Sequence, residues 1–121
     1  MLAILLLRTA ALTPGETRVV EAMLRGHLAR AGAPALAPER DTHVAADRIE
    51  DEDAAVAIAC LRLRCDVAWL AHVERLPHGL HVDVEEIAPD GRRGMRLEAT
   101  APDLDGLHPA FERIAETLAD R

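Results

Sequence analysis

Two stretches of this chain place histidines and carboxylates where they could meet. His72 and Glu74 alternate with Ala71 and Val73, and His81 and Asp83 alternate with Val82 and Val84. If Ala71 and Val73 share a layer with Val82 and Val84, a tight turn at Leu76-Pro77-His78-Gly79 sets His72 opposite Asp83 and Glu74 opposite His81. Two His–carboxylate pairs side by side have the chemistry of an acid–base or metal site. The same pattern also arises from ordinary cross-strand charge pairing on a half-wet surface, where each pair contributes a few tenths to about 1 kcal/mol. Strands carry such pairs commonly, so the latter is the expectation, with some pH sensitivity near the histidine pKa.

Cys60 and Cys65 are the next candidates. A zinc site needs closer pairs and further ligands nearby, and the sequence offers only His72. A nucleophilic Cys65 needs a neighbouring base and an electropositive surround. Free buried thiols are therefore expected, since a disulfide requires the chain to fold back sharply between the two residues. The acidic run Glu50-Asp51-Glu52-Asp53 lacks the alternation and central glycine of a calcium loop. It suits instead the positive end of a helix macrodipole. Thr13-Pro14-Gly15 opens a helix whose start could hold an anion, but Glu16 already supplies a carboxylate there. No phosphate loop, dinucleotide fingerprint or nucleophile elbow is present. No catalytic residue, cofactor or metal is assigned, and the chain is expected not to be an enzyme.

The elements that position these residues follow from periodicity. Leu2–Leu7 is a continuous apolar run with no preceding cation and with Arg8 after it. That is short and wrongly flanked for a secretion signal and fits a strand buried on both faces. Thr13 as N-cap, Pro14 and Glu16 announce a helix. Val19, Val20, Met23, Leu24, His27 and Leu28 form its apolar face, and Gly32 ends it. Ala35-Leu36-Ala37, between two prolines, is a short edge strand. Residues 38–50 read as one helical turn and loop. A second helix covers 54–64. From Asp66 the period becomes two: strands run through Val67–Glu74, Leu80–Glu85 and Met95–Thr100, joined by Leu76-Pro77-His78-Gly79 and Ala88-Pro89-Asp90-Gly91 turns. A final helix follows Pro102-Asp103, with Pro109 as an alternative marker of its first turn. The order is β-α-β-α-β-β-β-α, an α/β fold in three layers.

Composition limits the role. The chain has 121 residues, so one domain over 1–121 is expected. Half are hydrophobic, with one Trp (Trp69), one Phe (Phe111) and no Tyr. The net charge is −7, and all 14 basic residues are arginine. An acidic chain short of aromatic platforms is poorly suited to nucleic acid, and no segment is long enough to span a bilayer.

The order of elements and several local signals resemble the N-terminal domain of TolB and its FlgO-like and CsgG/LpoB-like relatives. The signals are the opening buried strand, the helix closing at Arg30-Ala31-Gly32, and a helix running into Cys65-Asp66-Val67-Ala68-Trp69-Leu70. The His81–Ile87 strand, the Asp90-Gly91 turn and the closing helix complete the match, which covers nearly the whole chain. Cys65 departs from the usual Gly or Ala, and His72-Val73 stand where a Gly is common. The resemblance implies a five-stranded mixed sheet in order 2-1-3-4-5 and a non-enzymatic interaction or assembly module, often envelope-associated. With that order the strand-order switch lies near Arg8, Thr9, Arg75 and His78, the candidate partner contacts. The expected partner is a protein. Self-association through the edge strand 95–100 is also open, with Arg96 and Glu98 set against it. An acidic immunity-type protein and an RNA-contacting anticodon-binding-like domain are the alternatives. The sequence as it stands reads as cytoplasmic, or periplasmic if cut from a longer exported chain.

Overall fold

The computed structural model describes residues 2–46 and 49–120. Its sheet has five strands: β1 (Leu2–Ala10), β2 (Ala35–Leu36), β3 (Val67–Leu76), β4 (Gly79–Ile87) and β5 (Arg93–Ala101). The order is β2-β1-β3-β4-β5. β1 runs parallel to both β2 and β3, and β3-β4-β5 is an antiparallel meander. The apolar opening run is thus a central strand, with Ala3, Ile4, Leu5, Leu6 and Leu7 all buried. Helices α1 (Pro14–Arg30) and α4 (Leu107–Ala119) cover one face; α2 (Glu39–Ala46) and α3 (Glu52–Leu63) cover the other.

The sheet's pleat divides the core in two. Leu5, Leu7, Trp69, Ala71, Val73, Val82 and Val84 meet Val20, Leu24 and Leu28 of α1 and Phe111, Ile114 and Leu118 of α4. Ile4, Leu6, Ala68 and Leu70 meet Ala55, Val56, Ala59 and Cys60 of α3 and Ala45 of α2. The second layer covers β1, β3 and, at Ile87, the far end of β4. Beyond it, β4 and β5 present His81, Asp83, Glu85, Arg96, Glu98 and Thr100 on the same face. The sheet is therefore apolar on both sides at its centre and amphipathic toward β5, which is the origin of the change in sequence period.

Local signals explain the helix ends. Thr13 Oγ1 accepts from the Glu16 amide at 3.1 Å, and Glu16 Oε1 accepts from the Thr13 amide at 2.9 Å, a complete capping box. Gly32 takes φ +80° just past α1. Asp51 caps α3, so the acidic run does begin a helix.

Four expectations need correction. The 38–50 stretch holds a two-turn helix, α2, rather than a single turn. Its start is favoured by Glu39 and Asp41, and the Thr42 hydroxyl donates back to the Pro38 carbonyl at 3.2 Å. Residues 47 and 48 of that stretch lie outside the described residues. On α1 the buried stripe is Val20, Glu21, Leu24 and Leu28, while Val19 is half exposed. A glutamate replaces an expected valine because Arg25 pairs with its carboxylate and His43 lies within hydrogen-bond distance of its other oxygen, as described below. The cysteines are bonded to each other, not free. Arg64 adopts a left-handed conformation (φ 55°, ψ 47°) and turns the chain back, bringing the two Cα atoms to 4.9 Å. Finally, α4 begins at Leu107, which places Pro109 in its first turn.

Candidate interaction surface

The carboxyl end of β3 and the β3–β4 turn lie against the β5–α4 connection. β3 ends on Arg75 and Leu76, the two-residue Pro77-His78 link follows, and Leu76 pairs with Gly79 across the hairpin. Gly79 has φ +146°, and a Cβ there would be driven against the Ala101 carbonyl oxygen, with Pro102 Cα 3.3 Å away. Glycine is what lets the turn lie directly on the end of β5. Between turn and connection lies an open groove of about 680 Å³, lined by Arg75, Leu76, His78, Leu80, Pro102 and Leu104 among others. Leu76 is 42% exposed at its rim.

Of the four residues expected near the strand-order switch, Arg75 and His78 line this groove. Arg75 is held by Glu16 Oε2 at 2.6 Å, so the turn is anchored to the capping box of α1. The Glu16 carboxyl is pushed below its ordinary pKa, first by the Thr13 amide and then by Arg75. Thr9 Oγ1 shares a hydrogen bond with Thr17 Oγ1 at 2.9 Å, which uses it to fix β1 to α1. Arg8 lies opposite His72 in the β1–β3 ladder, on the face away from Thr9.

The hairpin pairs stand in the register expected: His72 opposite Asp83, and Glu74 opposite His81. The side chains choose other partners, however. His72 Nε2 lies 2.8 and 2.9 Å from the two Glu52 oxygens at the start of α3. Asp83 accepts from Arg96 Nε and Nη2 at 3.1 and 2.6 Å, and Arg96 also reaches Glu98 at 3.0 Å. Arg93 joins Glu85 and Asp53, again at the start of α3. Opposite charges raise the guanidinium pKa of both arginines, through Asp53 of α3 and then Glu85 of β4 for Arg93, and through Asp83 of β4 for Arg96. The β3–β4 register missed Glu52 and Asp53 as partners because α3 leans over the polar part of the sheet, and it missed Arg96 because that side chain reaches Asp83 from the next strand, β5. The geometry makes this face a lattice of ion pairs. On the other face His27 Nε2 and His108 Nδ1 are 3.0 Å apart between α1 and α4, a pairing 81 residues distant in sequence.

No protein-family model matches the chain, and no curated protein sequence matches it. Solved structures do. The LpoB C-terminal domain from Salmonella enterica is 12% identical, with a TM-score of 0.64 over 83% of this chain and 81% of that one. The PelC dodecamer from Paraburkholderia phytofirmans is 13% identical, with a TM-score of 0.65 over 99% and 87%. Lipoprotein GNA1162 from Neisseria meningitidis is 12% identical, with a TM-score of 0.63 over 84% and 79%. At these identities the likeness is one of fold: this chain folds like LpoB, PelC and GNA1162.

Proposed function

We propose that the chain is a non-enzymatic protein-interaction or assembly module of a bacterial envelope-associated system, related to the TolB N-terminal group. The observation that carries this reading is the shared fold, matched over most of the chain by a lipoprotein and by the subunit of a dodecamer. Two features of the molecule support it. Several titratable side chains of the polar face, His72, Asp83, Glu85, Arg93 and Arg96, are held in ion pairs. The Cys60–Cys65 bond suits an oxidising compartment such as the periplasm. Among the described residues no helix is long and apolar enough to cross a membrane.

The groove beside the β3–β4 turn is the proposed partner contact, with Leu76 and His78 in its lining and Arg75 held in place by Glu16. The edge strand β5 offers a second surface, through which copies of the chain would pair as in other sheet-edge assemblies. Affinity capture with the folded chain tests the module reading. Recovery of one protein in fixed ratio, lost on Leu76→Asp and retained on Val44→Asp, is the expected result; Val44 is also exposed but lies on α2. Recovery of RNA, or of nothing that depends on Leu76, would overturn it. Light scattering separates self-assembly from capture of a different protein.

A further inference from the structure

The open edge of the sheet beside β2 is closed by side chains. β2 pairs with β1 only at Leu2–Ala35 and Ala3–Leu36, so the next part of β1 lacks a strand on that side. Arg25 takes its place: Nη1 donates to the Ala37 carbonyl at 2.9 Å and Nη2 to the Leu5 carbonyl at 3.5 Å. A guanidinium in this sheltered position needs an anion. Glu21, one turn earlier on α1 and 2% exposed, accepts from Arg25 Nε through Oε2 at 3.1 Å. Its other oxygen, Oε1, faces α2, where His43 Nε2 is 3.1 Å away. Glu39 lies one turn before His43 on the same side of α2, with Oε1 4.0 Å from that nitrogen.

We propose that Glu21, Glu39 and His43 form a binding site for a divalent transition-metal ion, with zinc the best match. Their donor atoms lie within 4.8 Å of one another, so small side-chain rotations at exposed Glu39 and His43 bring all three onto one ion. Zinc takes imidazole nitrogen and carboxylate oxygen at about 2.0–2.2 Å. An imidazole in the set favours zinc, nickel or copper over magnesium and calcium, which prefer all-oxygen sites. Arg25 fixes the Glu21 carboxylate from behind and leaves Oε1 available, the arrangement by which outer hydrogen bonds orient metal ligands. Two carboxylates against one guanidinium leave the cluster net negative when His43 is neutral. Three protein donors leave a position for water. Because α1 and α2 lie on opposite faces of the sheet, the ion would tie the two layers together around the short β2 edge.

The competing account is a protonated His43 held between two carboxylates with no metal. Titration calorimetry with zinc chloride, on the full chain first dialysed against chelator, separates the two. One zinc per chain is expected, bound at least about tenfold more weakly by His43→Asn and by Glu39→Gln. Both side chains are about half exposed, so neither replacement disturbs the core. His72→Asn, at the other histidine–carboxylate contact, should bind like the parent chain. Cobalt(II) should give a visible absorption spectrum that His43→Asn abolishes. Absence of zinc binding, or binding that His43→Asn and Glu39→Gln leave unchanged, would overturn the proposal.

Discussion

His72 Nε2 lies 2.8 Å from Glu52 Oε1, although the residue opposite His72 in the sheet is Asp83. The hairpin register and the side-chain pairing thus follow different rules. Register is fixed by the buried valines on the other face. Pairing is decided by which opposite charge is nearest, and α3 brings Glu52 closer while Arg96 takes Asp83.

Coupling should follow the side chains and not the register. Both partners are about 40% exposed, so the His72–Glu52 interaction is expected to contribute roughly 0.2–1 kcal/mol. Double-mutant cycles in urea should find this coupling between His72→Ala and Glu52→Ala, and close to none between His72→Ala and Asp83→Ala. A larger coupling to Asp83 would contradict the geometry.

The close approach at the groove makes a second prediction. Gly79→Ala should destabilise the fold by roughly 2 kcal/mol, because the added carbon meets the Ala101 carbonyl at an angle (φ +146°) that L residues rarely adopt. Gly91, at φ +88° with open space around it, should tolerate alanine at a cost of only about 1 kcal/mol. Equal losses in the two variants would remove the argument that Gly79 seats the turn.

Acid should loosen the α1–α4 contact. Burial first, then the charges of Arg30 and His108, hold the His27 pKa below its ordinary value, while Glu112 pulls it the other way. The unfolded chain then takes up this proton more readily than the folded one. The associated stability is complete above about pH 6.5 and is lost as pH falls from there through the lower folded value. Urea midpoints should therefore decline on acidification in this window, and less steeply in His27→Gln. Identical slopes for the two proteins would show that His27 is not responsible. Glu16, also held low, contributes at more acidic pH by the same sign.

Thiol titration of the denatured, unreduced chain should detect no free cysteine. Replacing both cysteines by alanine should cost about 2 kcal/mol, the loop-closure value for so short a ring. Two reactive thiols in the oxidised protein would contradict the pairing and weaken the case for an oxidising compartment.

Much of this architecture was legible in the sequence. The buried run Leu2–Leu7, the Thr13/Glu16 capping box and the alternation in β3–β5 each depend on residues close in the chain, so local patterns reveal them. What stayed hidden depends on distant contacts. Glu21 looks like a surface residue until Arg25 and His43 are brought around the β2 edge. The Cys60–Cys65 bond depends on Arg64 taking a left-handed conformation that nothing in its residue type announces. The groove joins Arg75–Leu80 to Pro102–Asp105, and only the placement of β5 beside β4 makes those two segments neighbours.

The proposed function places a protein partner at the β3–β4 turn. Quantitative affinity capture from the native organism, comparing the parent chain with Leu76→Asp and Val44→Asp, tests it most directly. The account predicts one protein recovered in fixed ratio by the parent and by Val44→Asp, and its loss with Leu76→Asp. Equal recovery by all three proteins, or recovery of RNA alone, would contradict it.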